Sequence, residues 1–368
     1  MPAPATPRSP SAAADPFIAW TCLDDWMAPS APFRGSCEKH LRTQLAAAAP
    51  IPHDPAIEGV IVYDKLERGA AVAVLLGREG RTLPRESGGE FCDTRFDEQD
   101  LCDQTNAHGL FARIHQGARG MLVTLREDES RRLLLLDQRH VGELHPMSRN
   151  KDPEGGAAAT GLLAHELAHA RDYADGRPGR PSRDEIAARC RPEHVDALHA
   201  IADMALAEYV ATRAECAKQV STHGACASGL AQRAGEMARR TLSVPPLAER
   251  DLAEGDDPEQ RRLDLSQTGY VIGTLAAYAD ARAPIFRADG TVGEKNTADQ
   301  VRRHARSNPA LSGLVRAATP ALRRAAENPD RGSRESLAHA MERALVLART
   351  DPERTGRRAR SAQPDFER

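Results

Sequence analysis

Thr160-Gly-Leu-Leu-Ala-His165-Glu166-Leu167-Ala168-His169-Ala-Arg-Asp-Tyr-Ala-Asp-Gly176 carries the most information in this chain of 368 residues. On a helix, residues four apart lie on one face about one turn apart. His165 and His169 can therefore both aim a ring nitrogen at one Zn²⁺. Glu166 stands next to the first of them and is placed to hold a water on the metal. Zinc lowers the pKa of such a water toward ~7, and a neighbouring carboxylate takes its proton as a bond is attacked. Leu162, Leu163, Ala164, Leu167, Ala168 and Ala170 surround the motif, which implies a largely buried helix. Two surface histidines on an amphipathic helix is the bland alternative, and these neighbours fit it poorly. Imidazoles and a carboxylate in so apolar a setting need partners, and a metal supplies them. Gly155, Gly156 and Gly161 precede the motif, and Gly176 with Pro178 marks the end of the helix.

A third ligand decides the kind of site. The extended pattern H-E-x-x-H-x-x-G-x-x-H/D takes it six residues after the second histidine, where Asp175 stands. The helix-breaking glycine of that pattern is replaced by Asp172, and Met204, in a helical run, offers no Met-turn. The other route is a glutamate from a second helix, giving a His₂Glu set. Pro192 reads as the first turn of such a helix. Apolar residues recur through Val195, Leu198, Ile201, Ala202, Ala205, Leu206, Tyr209, Val210, Ala214 and Ala217, and Gly224 ends it. Within it Glu208 shares a face with Ala205, Ala211 and Thr212, small neighbours that permit close approach to another helix. Glu215, two turns on, shares that face and is the reserve. Glu185 and Glu193 are further candidates, and an exposed helix glutamate is the plain alternative for each.

His-Glu-Leu-Ala-His-Ala-Arg-Asp, followed by a helix reading Ala-Glu-Tyr-Val-Ala-Thr-Arg, resembles the gluzincin superfamily and, within it, the ImmA/IrrE-like metallopeptidases. The resemblance covers about residues 115 to 220. It implies a zinc peptidase in which His165, His169 and Glu208 bind Zn²⁺ and Glu166 is the catalytic base. No helix-turn-helix segment of the kind some members carry is found. Bacterial effector peptidases share the core motif. Peptide deformylase also uses H-E-x-x-H, but its Glu-Gly-Cys-Leu context is missing here.

Other residues are placed to serve the site. Asp172, three residues after His169, can accept that ring's second N–H or pair with Arg171 or Arg180. Tyr209, His199, His194 and Arg213 can each donate to a tetrahedral oxyanion, and Tyr209 reads equally well as a packed core aromatic.

Composition bounds the rest. A net charge of −3 implies no nucleic-acid or membrane footprint, and no apolar run approaches a membrane span of ~20 residues. Lysine occurs only at Lys39, Lys65, Lys151, Lys218 and Lys295, so basic charge is nearly all arginine; with abundant alanine this suggests a GC-rich bacterial genome. The first fifteen residues lack the apolar segment of a Sec signal peptide and read as a disordered tail. Cys22, Cys37, Cys92, Cys102, Cys190, Cys216 and Cys226 are odd in number and without C-x-x-C spacing. That argues for free thiols in a reducing, cytoplasmic compartment. In an exported effector, delivered without a Sec signal, Cys92 and Cys102 are close enough in sequence to bridge.

The pattern gives an α+β fold: a zincin-like core with a small antiparallel sheet, the H-E-x-x-H helix, a second ligand helix and a mostly helical C-terminal part. Residues 16–50 suggest short helices. Gly59–Tyr63 and Ala71–Leu76 are strand candidates, and Gly120–Leu125 with Arg132–Asp137 reads as a β-hairpin. In zincins an edge strand beside the cleft accepts substrate backbone as another strand. Residues 151–156 read as a loop, and Leu230–Thr241, Asp264–Ala283, Thr297–Arg306 and Arg334–Arg349 as helices. The expected divisions are a tail at 1–15, a metallopeptidase domain at 16–225, a helical region at 226–349 and a disordered tail at 350–368. The expected activity is zinc-dependent hydrolysis of peptide bonds in a protein or peptide substrate. The alternatives are a helical binding or scaffold protein with an incidental motif, and a zinc hydrolase of a non-peptide amide. Oligomeric state is not legible.

Overall fold

Two apolar runs, Gly59–Tyr63 and Arg132–Asp137, lie side by side in a five-stranded sheet. The structure, a computed structural model, describes residues 17–21, 31–48, 57, 59–63, 90–91, 120–124, 132–145, 151–229, 258–287, 289–306 and 309–349. The strand expected at Ala71–Leu76, the helix expected at Leu230–Thr241, both tails, and Cys22, Cys92 and Cys102 lie outside these residues. The chain forms two units, residues 1–151 and 152–368.

In the first unit β1 (Phe17–Thr21), α1 (Ala31–Ala48), β2 (Gly59–Tyr63), β3 (Glu90–Phe91), β4 (Gly120–Thr124), β5 (Arg132–Asp137) and α2 (Gln138–Glu143) follow in order. The sheet order is β3-β1-β2-β5-β4. β1 pairs parallel with β2 and β3, β2 pairs parallel with β5, and only β4 pairs antiparallel, with β5. The antiparallel sheet expected from sequence is thus a mixed sheet. Its cause is visible in composition: Val60, Ile61 and Val62 in β2 and Leu133 to Leu136 in β5 are all buried, and strands covered on both faces carry continuous apolar runs, not alternation. The hairpin strands do pair as expected, with Leu122 opposite Leu134. Residues 31–48 form one helix, with β1 as a strand before it. α1 sits between parallel β1 and β2, as a crossover requires; the Trp20 indole donates to Glu38 Oε1 at 2.7 Å.

The second unit holds α3 (Pro153–Ala174), α4 (Arg183–Ala187), a 3₁₀ turn (Pro192–His194), α5 (Val195–His223), α6 (Pro258–Ala281), β6 (Pro284–Phe286), β7 (Val292–Asn296), α7 (Thr297–Arg306), α8 (Pro309–Glu327) and α9 (Arg331–Arg349). α3 starts where a loop was expected. Pro153 needs no N–H in the first turn, and the Asp152 carboxylate accepts from the Gly155 N–H at 2.9 Å. Gly155, Gly156 and Gly161 therefore lie inside the helix. Gly176 (φ 73°) and Arg177 (φ 57°) turn the chain at its end.

α3 and α5 run antiparallel. The far end of α3 is tied to the early part of α5 by Arg180, which donates to both Asp172 oxygens and to Asp203. The start of α3 meets the end of α5: Glu154 Oε1 accepts from the Ser228 N–H at 2.8 Å, and Thr160 Oγ1 lies 3.2 Å from His223 Nε2. α5 and α6 pack against each other. Gly269 and Gly273, one turn apart on α6, let the two backbones meet. A methyl group at Gly273 would stand 2.2 Å from the Ala205 carbonyl oxygen and 2.9 Å from Glu208 Cβ. One hydrophobic core joins Leu198, Leu206, Leu275, Leu322 and Leu337. It draws on described residues on both sides of residue 225. Cys37, Cys190, Cys216 and Cys226 are buried, unbridged thiols. Among the described residues no helix is long and apolar enough to cross a membrane.

Gly273→Ala is expected to lower stability by about 1–3 kcal/mol, because the methyl meets backbone that cannot move aside. Gly332→Ala, where the methyl meets only Asp330 Oδ1 at 3.6 Å, should change stability by less than ~1 kcal/mol. Denaturant melts of the two variants check this, and equal midpoints would show that the α5–α6 contact yields at no cost.

Candidate metal centre

α3 presents His165 and His169 on one face, and α5 brings Glu208 to the same point. His165 Nε2 and His169 Nε2 are 3.1 Å apart, with their rings at 80°. Glu208 offers Oε2 to His165 Nε2 at 3.4 Å and Oε1 to His169 Nε2 at 3.3 Å. Together they form a cluster that can hold a metal ion. The spacing fits a small tetrahedral cation, since bonds of ~2.0–2.2 Å set donor atoms about 3.3–3.6 Å apart. A second observation agrees. Glu208 is 5 % exposed and its Oε2 is buried without a hydrogen bond, although His165 is within ion-pair distance. A buried carboxylate oxygen with spare lone pairs needs a positive partner.

The electrostatics describe what occupies that point without a metal. Burial pushes the Glu208 carboxyl up, but the charge of His169 and contacts with both imidazoles outweigh it and hold the group down at about 2. Burial also disfavours charged His165, yet Glu208 and Glu215 together raise its pKa well above the ordinary value. Both shifts favour a charged His165 beside an ionised Glu208.

The other candidates are placed elsewhere. Glu215 shares the Glu208 face, as expected, but it meets the opposite ring nitrogen: its Oε2 is 3.2 Å from His165 Nδ1. Asp175 caps the end of α3 and is exposed. Glu185 closes the capping box of α4 and pairs with Arg334 at 2.8 Å. The Glu193 side chain lies outside those described. Asp172 is engaged by Arg180, the ion-pair reading of that residue. Tyr209 donates its hydroxyl to Asp280, which also receives Arg213 and Arg323. His194 is buried 3.9 Å from Glu342, and His199 is half-buried on α5. None of these joins the cluster. Glu166 is buried on α3 at 7 % exposure, one residue from His165.

Sequence reasoning missed Gly269 and Gly273, whose close contact sets the Glu208 backbone. The available signal was two glycines four apart, enclosing Tyr270, Val271 and Ile272. Compared with models of known families, with curated proteins and with solved structures, the chain matches none.

Metal uptake should be coupled to proton release. Glu208 and Glu215 raise the pKa of His165 above its ordinary value, so its ring holds a proton more tightly than a free imidazole does. An entering cation must displace that proton, so affinity rises with pH and falls as pH is lowered. Zinc titrations in buffers of different ionisation enthalpy should show proton release. An affinity that is flat between about pH 6 and 8 would contradict this picture.

Proposed function

We propose that this chain is a zinc-dependent endopeptidase of gluzincin type, nearest in its motifs to the ImmA/IrrE-like metallopeptidases, and that it acts on a protein or peptide substrate. One observation supports the reading above all: His165, His169 and Glu208 converge from two helices while Glu166 sits one residue from the first ligand. Zinc, when bound, polarises the scissile carbonyl and lowers the pKa of the attacking water toward ~7. The two imidazoles and Glu208 would hold the ion, and three protein ligands leave a fourth position for water or substrate. Glu208, ionised and buried, offsets one of the two positive charges and stays out of the proton transfer. Glu166 takes the proton from water as its oxygen bonds to the carbonyl carbon. The same carboxyl then gives that proton to the amide nitrogen as the C–N bond breaks.

Purified protein should carry about one zinc per chain by elemental analysis. His165→Ala should abolish that content, and His339→Ala, at an exposed position, should not. Chelation should lower the melting temperature, because bound metal stabilises the native state by mass action. Protein that stays metal-free after zinc loading and desalting rules the reading out.

Glu166→Gln separates ligand from base. It should keep zinc and lose turnover of a peptide-library substrate by ~10²–10⁴-fold or more. Turnover near the native rate in this variant would remove Glu166 from the mechanism.

A further inference from the structure

Gln219 lies on α5 one turn beyond Glu215 and has no exposed surface. Its amide has only one way round. The Ala227 N–H, which can only donate, lies 2.7 Å from Gln219 Oε1. The amide nitrogen therefore faces away from Ala227, where it is 3.1 Å from Glu215 Oε1. That nitrogen also can only donate, so Glu215 accepts. The remaining Glu215 oxygen, Oε2, faces His165 Nδ1 at 3.2 Å. An acceptor there requires the ring proton on Nδ1. In the neutral ring, the form that can bind a metal, the Nε2 lone pair is then left pointing at His169 and Glu208.

We propose that this relay, from the Ala227 main chain through Gln219 and Glu215, fixes the tautomer of His165 so that Nε2 is the metal donor. Glu215 and Gln219 are thus positioning residues of the metal centre, an inference that rests on the zinc reading above. The relay is buried along its length, with Glu215 at 5 % and Gln219 at 0 % exposure, so water does not compete for its bonds. Its origin is fixed. Cys226, next to Ala227, donates its N–H to Pro284 at 2.7 Å and accepts from the Phe286 N–H at 3.0 Å, which ties the segment to β6. Its path is reserved. A methyl group at Gly161 would stand 2.0 Å from Gln219 Nε2, so α3 leaves out a side chain where the amide passes.

Because each link has a fixed donor and acceptor, polarity can be tested without changing shape. Glu215→Gln is isosteric but breaks the sequence of donors. With the Gln219 amide held by Ala227, the oxygen of the introduced amide must face Gln219 and its NH₂ must face Nδ1. The ring proton is driven to Nε2, against the metal. Adding Gln219→Glu restores the order. The introduced carboxylate accepts from Ala227 and from the amide at 215, whose oxygen again accepts from Nδ1–H.

Zinc affinity of the full chain, measured by competition with a chromophoric chelator, reads this out. Glu215→Gln should weaken zinc binding about 10–100-fold, and the Glu215→Gln/Gln219→Glu pair should recover most of the loss. In zinc-loaded wild-type protein, ¹⁵N NMR should show His165 protonated at Nδ1 and metallated at Nε2, a readout that needs no variant to fold. The relay is overturned by wild-type affinity in Glu215→Gln, by a double variant no tighter than the single, or by metal on Nδ1. Wild-type protein that takes up no zinc overturns the zinc reading, and the relay with it.

Discussion

The contact of Glu208 with two imidazoles sets the terms for the second unit. A carboxylate and two imidazoles withdrawn from water are costly unless each charge meets its opposite at close range. Distances of 3.3 and 3.4 Å from Glu208 to the ring nitrogens satisfy that condition only while α3 and α5 keep their spacing. A helix displacement of an ångström would leave a buried charge unmatched. The helices around this point are accordingly fixed by several kinds of contact, each with little freedom to relax.

At one end of the antiparallel pair the brace is ionic. Arg180 spans Asp172 on α3 and Asp203 on α5, and its planar fork fixes direction as well as distance. At the other end the brace is made of hydrogen bonds: Glu154 to Ser228, and Thr160 beside His223. Behind α5 the brace is steric, with Gly273 against Ala205 and Glu208. The three differ in physical origin, so no single change of solvent, such as added salt, loosens all of them. Salt weakens the exposed part of the Arg177–Asp203 pairing, but it leaves the glycine contact untouched.

What was legible in the sequence follows from what each signal measures. Helical spacing places His165 and His169 on one face without knowledge of the neighbours, and small residues around Glu208 suggest that something comes close. The reversal from Gly176 to Pro181 was readable from residues that favour positive φ or fix it. Pairings between distant segments were not readable. An apolar run such as Leu133–Leu136 shows that a strand is buried and gives no sign of which strand lies beside it, so the parallel neighbours of β2 and β5 were missed. Gly155 was read as part of a loop, and Gly161 had no visible role, because their reasons lie elsewhere. The first admits the Asp152 cap, and the second makes room for Gln219. Asp172 illustrates the same limit: helical geometry put it near His169, but Arg180, eight residues on, takes both its oxygens.

Glu208 and Glu215 show how far position refines identity. They are the same residue, on one face of one helix, seven residues apart, and both meet His165. Sequence alone ranks them by neighbours and leaves them interchangeable in kind. The imidazole distinguishes them, because its two nitrogens point in different directions and reach different turns of α5. Glu208 meets Nε2, where His169 Nε2 also arrives, so its charge is shared with a second ring and one of its oxygens accepts no hydrogen bond. Glu215 meets Nδ1, and its other oxygen is already taken by Gln219. A carboxylate whose lone pairs are committed to N–H donors on both sides is poorly suited to a cation, whereas one with an unsatisfied oxygen beside two ring nitrogens is well suited. What suits one glutamate to a cation and the other to an imidazole N–H therefore lies in the hydrogen bonds each already makes.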